Sequence, residues 1–172
     1  MLRYQEGSAS TTEREEGFLA GVAARPELVV VSANQHGGAT TESAFEAAER
    51  LLLAQNAAAG GVTAIFTPNE STTFGMLLAL QKANLAGKVR FIGFDASEKL
   101  LGAVEAGQID ALVLQNPLNM GYLAVRAMAL HLRGQPVEAR TDTGAQLVDA
   151  KNLHAPEIQQ LVKPDLAKWL GP

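Results

Sequence analysis

The sequence predicts an α/β fold: an open, mostly parallel, doubly wound sheet with helices on both faces. Three observations predict it. Short apolar runs alternate with longer stretches of helical periodicity, the pattern of βαβ units. Glycine closes the helical stretches at Gly60-Gly61, Gly87, Gly107 and Gly134, where a helix end takes a left-handed residue. Four apolar runs each lead into polar side chains: Val29-Val30-Val31 into Asn34-Gln35-His36, Ala64-Ile65-Phe66 into Asn69-Glu70, Val89-Arg90-Phe91-Ile92 into Asp95, and Ala111-Leu112-Val113-Leu114 into Gln115-Asn116. In a parallel sheet all four groups emerge at one edge, where open α/β folds place their ligands.

Taken in order, Leu2-Arg3-Tyr4 reads as a strand too short to be a full central one. Residues 12–24 form a helix that opens with Thr12 and Glu15 at capping-box spacing and aligns Phe18, Leu19 and Val22. Val29–Val31 is the second strand. Residues 40–57 carry Ala44, Phe45, Ala48, Leu51 and Leu52 on one stripe, with Thr40 as N-cap. A helix over 71–84 follows the Ala64–Phe66 strand, a shorter one spans 97–106, and a long one spans 118–133. The tail from Val137 reads as a strand near 145–149, a helix near 155–162, and a break at Pro164 before Leu166–Trp169.

The totals restrict the function. A chain of 172 residues, 47% hydrophobic and 19% charged, affords a buried core in one sizeable domain or two small lobes. A net charge of −4 without a run of five basic residues disfavours nucleic acid, which needs a clustered cationic face. Zero cysteines exclude disulfides, thiolate catalysis and cysteine-ligated metals. No stretch approaches the roughly 18–20 apolar residues of a membrane span, so no membrane insertion is expected. The opening residues contain no apolar signal segment.

Each candidate site residue has a structural alternative. Asp95 can accept two hydroxyl hydrogen bonds, or it can cap the helix at 97–106. Asn69 can donate and accept at one hydroxyl, or serve as a turn or cap. Gln115 is a poor cap, and a buried amide at a strand end needs a partner. His36 lies on a Gly-rich loop, apart from His131 and His154, so no metal site is expected. The run Glu13, Glu15, Glu16 reads as a solvated helix face. No nucleotide loop, serine elbow or catalytic set is present, so no cofactor and no enzymatic activity are expected. An enzyme on a flavodoxin-like scaffold, with Asp95 and His36 as acid and base, is the least supported reading.

The ordered set Gly7-Ser8-Ala9-Ser10-Thr11-Thr12-Glu13-Arg14-Glu15-Glu16-Gly17-Phe18, Asn69-Glu70-Ser71-Thr72-Thr73, Gly93-Phe94-Asp95, Gln115-Asn116-Pro117 and Met120-Gly121-Tyr122 resembles the C-terminal lobe of ribose-type (type I) periplasmic binding proteins. The resemblance implies a small sugar or polyol held between two closing lobes and an ABC permease as partner. It also implies a periplasmic or extracellular location for the full-length protein. Asn69, Asp95 and Gln115 match hydrogen-bonding positions of that lobe, and His36 falls where an aromatic ring often meets the sugar. Thr12 falls near a position that is arginine in ribose binders; Arg14, two residues on, is expected on a different face of its helix. The resemblance makes residues 1–172 a single C-terminal-lobe fragment. In it, 117–140 would pack on a missing N-terminal lobe and 141–172 would return. The apolar positions of 118–133 are then expected either to fold back or to be buried in a homodimer. A lac-repressor-like effector lobe shares the fold and is the alternative.

Overall fold

The computed structural model describes residues 1–166. Among the described residues, six strands and six α-helices alternate. They are β1 (Leu2–Arg3), α1 (Ala9–Ala23), β2 (Gln35–His36), α2 (Thr41–Ala54), β3 (Ala64–Phe66) and α3 (Glu70–Lys82). After these come β4 (Arg90–Phe94), α4 (Glu98–Glu105), β5 (Ala111–Leu114), α5 (Pro117–Leu132), β6 (Gln146–Asp149) and α6 (Pro156–Val162). Strands β3, β4 and β5 are parallel neighbours, and β6 adds antiparallel to β5. β1 and β2 form a separate parallel pair. The α/β class and the mostly parallel pairing stand, divided between two sheets.

Alternation along the strands sends Ile65, Phe91, Leu112 and Val148 to one face. There they join Leu51 and Leu52 of α2, Met76, Leu77 and Leu80 of α3, and Leu100 and Val104 of α4 in the main core. The opposite face carries Phe66, Phe94 and Val113, covered by Phe18 and Leu19 of α1. The Phe18 and Phe66 rings stack at 4.6 Å. Helices α2 and α3 approach closely because Gly75 has no side chain: a Cβ there would lie 2.7 Å from both Ala44 Cβ and the Phe45 nitrogen.

Local chemistry explains the helix starts. Thr40 caps α2, with its hydroxyl accepting from the Ser43 N–H at 3.2 Å and the Ser43 hydroxyl returning the bond. Helix α1 begins at Ala9, three residues before Thr12, and Ser8 at its N-cap makes no side-chain cap bond. Glu15 is therefore not a capping partner. It is buried, 4% exposed, where it pairs with Arg3 at 2.9 Å and accepts the Tyr4 N–H, tying α1 to β1. The charged run is solvated at Glu13 and Glu16 but not at Glu15.

Val29–Val31 is not a strand. Val29 is 81% exposed, and Val30 and Val31 are also exposed. The register accords with this: Leu2 pairs with Gln35 and Arg3 with His36, so β1 does not extend opposite Val29–Val31 and none of the described residues pairs with them there. Apolar pattern alone does not make a strand when the hydrogen-bonding partner is lacking.

Helix α5 has no buried residue, with Tyr122, Val125, Met128 and Leu132 all exposed. It does not fold back onto the sheet. In the tail, β6 and α6 fall where the sequence placed them, with Val148 and Ile158 buried. Of the expected Leu166–Trp169 stretch, all beyond Leu166 lies outside the described residues.

Candidate functional site

Strands β3, β4 and β5 end at one edge, and the segments leaving them are bolted together by buried hydroxyls. The Thr73 hydroxyl donates to the Asn69 carbonyl at 2.7 Å and accepts the Phe94 N–H at 3.0 Å. It also lies 2.8 Å from the Thr67 hydroxyl. One side chain of α3 thus fixes the exits of both β3 and β4.

Asp95 follows Phe94 with φ +67°, the left-handed region that non-glycine residues other than Asn and Asp rarely enter. That turn lets the Asp95 carboxylate accept the Glu70 N–H at 3.3 Å, at the positive end of α3. Asp95 does not cap α4; Ser97 occupies the cap position without a side-chain bond. Burial pushes the Asp95 carboxyl above the usual range. The Arg14 guanidinium and the Glu70 N–H pull it back, and the Glu70 carboxylate adds to the rise.

Arg14 reaches the same edge from α1. Its guanidinium carbon lies 3.9 Å above the Phe94 ring; one terminal nitrogen donates to the Pro68 carbonyl at 2.9 Å and the other to Gln115 Oε1 at 2.8 Å. Burial lowers its pKa and Asp95 opposes that. Asp95 and Gln115 then open into one cavity of about 490 Å³, walled also by Leu114, Met120, Leu161 and Val162.

Thr12 sits in the first turn of α1, where its backbone N–H bonds the Ser8 carbonyl; the guanidinium joined to Gln115 belongs to Arg14. Arg14, two residues on, lies on a different face of α1 from Thr12, and its long side chain lying over Phe94 nonetheless brings its head to the strand ends. Asn69 is the N-cap of α3, its Oδ1 accepting from the Thr72 hydroxyl at 2.6 Å and its Nδ2 donating to the Ser71 hydroxyl at 3.1 Å. That leaves one amide proton for anything else. His36 ends β2, and the following Gly37 lies against Thr72 and Ala44. Neither His36, Asn69 nor Thr12 lines the large cavity. Among the described residues, no cluster of three or more His, Asp or Glu is placed to hold a metal ion. None of the described helices is long and apolar enough to cross a membrane.

A family model described as a periplasmic binding protein domain matches residues 1–136. The chain belongs to that family. The ribose import binding protein of Haemophilus influenzae is 31% identical over 142 residues, which cover 83% of this chain and 46% of the relative. The solved carbohydrate-transporter solute binding protein of Agrobacterium radiobacter, in complex with D-arabinose, superposes with a TM-score of 0.85 at 30% identity. That match covers 94% of this chain and 54% of the other. The periplasmic component of a sugar transport system from Hahella chejuensis gives a TM-score of 0.79 at 37% identity, covering 86% and 53%. The periplasmic-binding-protein chain described here therefore has the fold of one lobe of a type I binding protein. It spans about half the length of the curated relatives it matches.

Proposed function

We propose that this chain contributes one wall of the sugar cleft in the solute-binding component of an ABC-type import system. The observation that carries the reading is the convergence of Asp95 and Gln115 on one cavity, with Arg14 bonded to Gln115 beside them. A carboxylate that accepts and an amide that donates suit neighbouring hydroxyls. The relatives are named as binding or transport components for ribose and other sugars, not as regulators or enzymes. A small sugar or polyol is accordingly the ligand class, with a permease as the docking partner and a periplasmic or extracellular location in the full-length protein. Asn69, His36 and Thr12 lie outside the cavity that Asp95 and Gln115 share, and a role for them as further ligand contacts rests on the family pattern alone.

One wall holds ligand weakly, since small-molecule sites normally bury about 70–90% of the ligand surface. An opposing lobe, outside these residues, would complete the cleft and cover the apolar seam of α5. In the isolated chain a second copy covers that seam. Leu118, Tyr122, Val125, Ala129 and Leu132 recur at alternating spacings of four and three, which suits helix-to-helix packing.

The test is a ¹⁵N-resolved titration of the chain with D-ribose, D-arabinose and D-allose. Dissociation constants of about 1 mM or weaker are expected for the best of them, near 4 kcal/mol of binding. Shifts should concentrate at Asp95, Gln115 and their neighbours. Shifts confined to other surfaces, or none with any of the three sugars, would reject the reading.

A further inference from the structure

The bond between Arg14 and Gln115 carries more information than its length. A guanidinium has five N–H donors and no acceptor, so whatever faces it must accept. The amide atom 2.8 Å from Arg14 Nη2 is therefore the oxygen by chemical necessity. Gln115 Nε2 is left on the other side, where the described partner is the Met120 sulfur at 3.9 Å, a weak acceptor. Gln115 and Met120 both line the cavity shared with Asp95.

We infer that Arg14 is a positioning residue that fixes the Gln115 amide, so that Gln115 offers the ligand a hydrogen-bond donor and Asp95 an acceptor. The inference rests on the sugar reading for its ligand, while the amide orientation stands on geometry alone. Arg14 is itself held at three points: the Phe94 ring beneath it, the Pro68 carbonyl and Gln115 Oε1. A flat fork pinned by a ring and two acceptors has little freedom to release the amide.

The consequence is a polarity at the site. The ligand oxygen that meets Gln115 must accept, a demand that a hydroxyl or ring ether satisfies. The ligand group that meets Asp95 must donate, so it is a hydroxyl with its hydrogen intact. A ligand whose hydroxyl at the Asp95 position is replaced by fluorine should be refused there, because fluorine cannot donate.

The orientation is tested first without ligand. Side-chain amide resonances of Gln115 are identified by their disappearance in Gln115→Glu. Arg14→Met should move them, whereas Arg14→Lys, still a donor without acceptors, should keep them near their original positions. Unmoved resonances in Arg14→Met, in a chain whose backbone spectrum shows it folded, overturn the inference. The second arm uses D-ribose. Gln115→Glu still pairs with Arg14 but has lost the donor, so its affinity should fall by about tenfold, the worth of one hydrogen bond. Equal affinity in variant and native chain also overturns the inference. If the native chain binds none of D-ribose, D-arabinose and D-allose, the sugar reading fails, and the ligand-free arm alone decides the positioning role.

Discussion

The backbone N–H of Phe94 donates to the Thr73 hydroxyl at 3.0 Å in a fully buried setting. Twenty-one residues apart in sequence, they join the exit of β4 to the first turns of α3. The same hydroxyl touches the Asn69 carbonyl and Thr67, so the floor of the candidate site depends on one oxygen. Thr73→Val keeps the shape and deletes that oxygen, stranding the Phe94 N–H. A loss of about 1–3 kcal/mol is expected in urea unfolding. Thr73→Ser retains the oxygen and should recover most of the difference.

Gly75→Ala addresses the contact between α2 and α3. The added methyl would meet Ala44 Cβ and the Phe45 nitrogen at 2.7 Å and the Thr41 carbonyl at 2.8 Å. Two of the three obstacles are backbone and cannot swing away. The gain in helix propensity, about 1 kcal/mol, should be outweighed by overpacking of about 1–3 kcal/mol. Thermal unfolding should therefore show a lowered midpoint, against the usual direction for this substitution.

Asp95 should make the chain less stable as pH rises. Its folded pKa stands above the ordinary 3.8, so in the intervening range the folded chain holds a proton that the unfolded chain has released. Stability then falls with pH through that window, and the cost is fully present above the folded pKa. Asp95→Asn removes the charge, and asparagine tolerates the φ of +67°. The variant is expected to unfold at higher denaturant than the native chain at pH 7. The gap should close as the pH is taken below 3.8. A native chain equal to the variant at both pH values would contradict this.

Helix α5 supplies a test of association. Val125 is 72% exposed at the middle of the seam. Sedimentation of the native chain should show a mass that rises with concentration, and Val125→Glu should sediment as a monomer. A native chain that stays monomeric throughout would show that the seam does not self-pair.

Much of this architecture is legible in the sequence because parallel strands, once recognised, must all exit at one edge. That logic alone places Asp95 and Gln115 together, and the Thr40 cap is equally local. What escaped depends on distance. Neighbouring helical residues point about 100° apart, so the single run Glu13–Glu16 serves several directions. Glu15 turns under β1 to Arg3, while Arg14 crosses Phe94 to a partner 101 residues away. No spacing rule reports such a pair. Asn69 shows the opposite difficulty: one residue type serves equally well as cap or ligand group, and its bonds to Ser71 and Thr72 make it a cap here.

The unaccompanied valines have a chemical consequence of their own. Leu28 through Val31 form an exposed, branched, uncharged ribbon beside the short β1–β2 pair, with only the Leu28 N–H tied back, to the Arg25 carbonyl. An open flank of this kind templates any extended peptide that drifts alongside it, including the same ribbon from another molecule. Concentrated stocks should consequently gel or form fibres sooner than the stability of the main core implies, and a lysine at Val29 should delay the process by charging the flank.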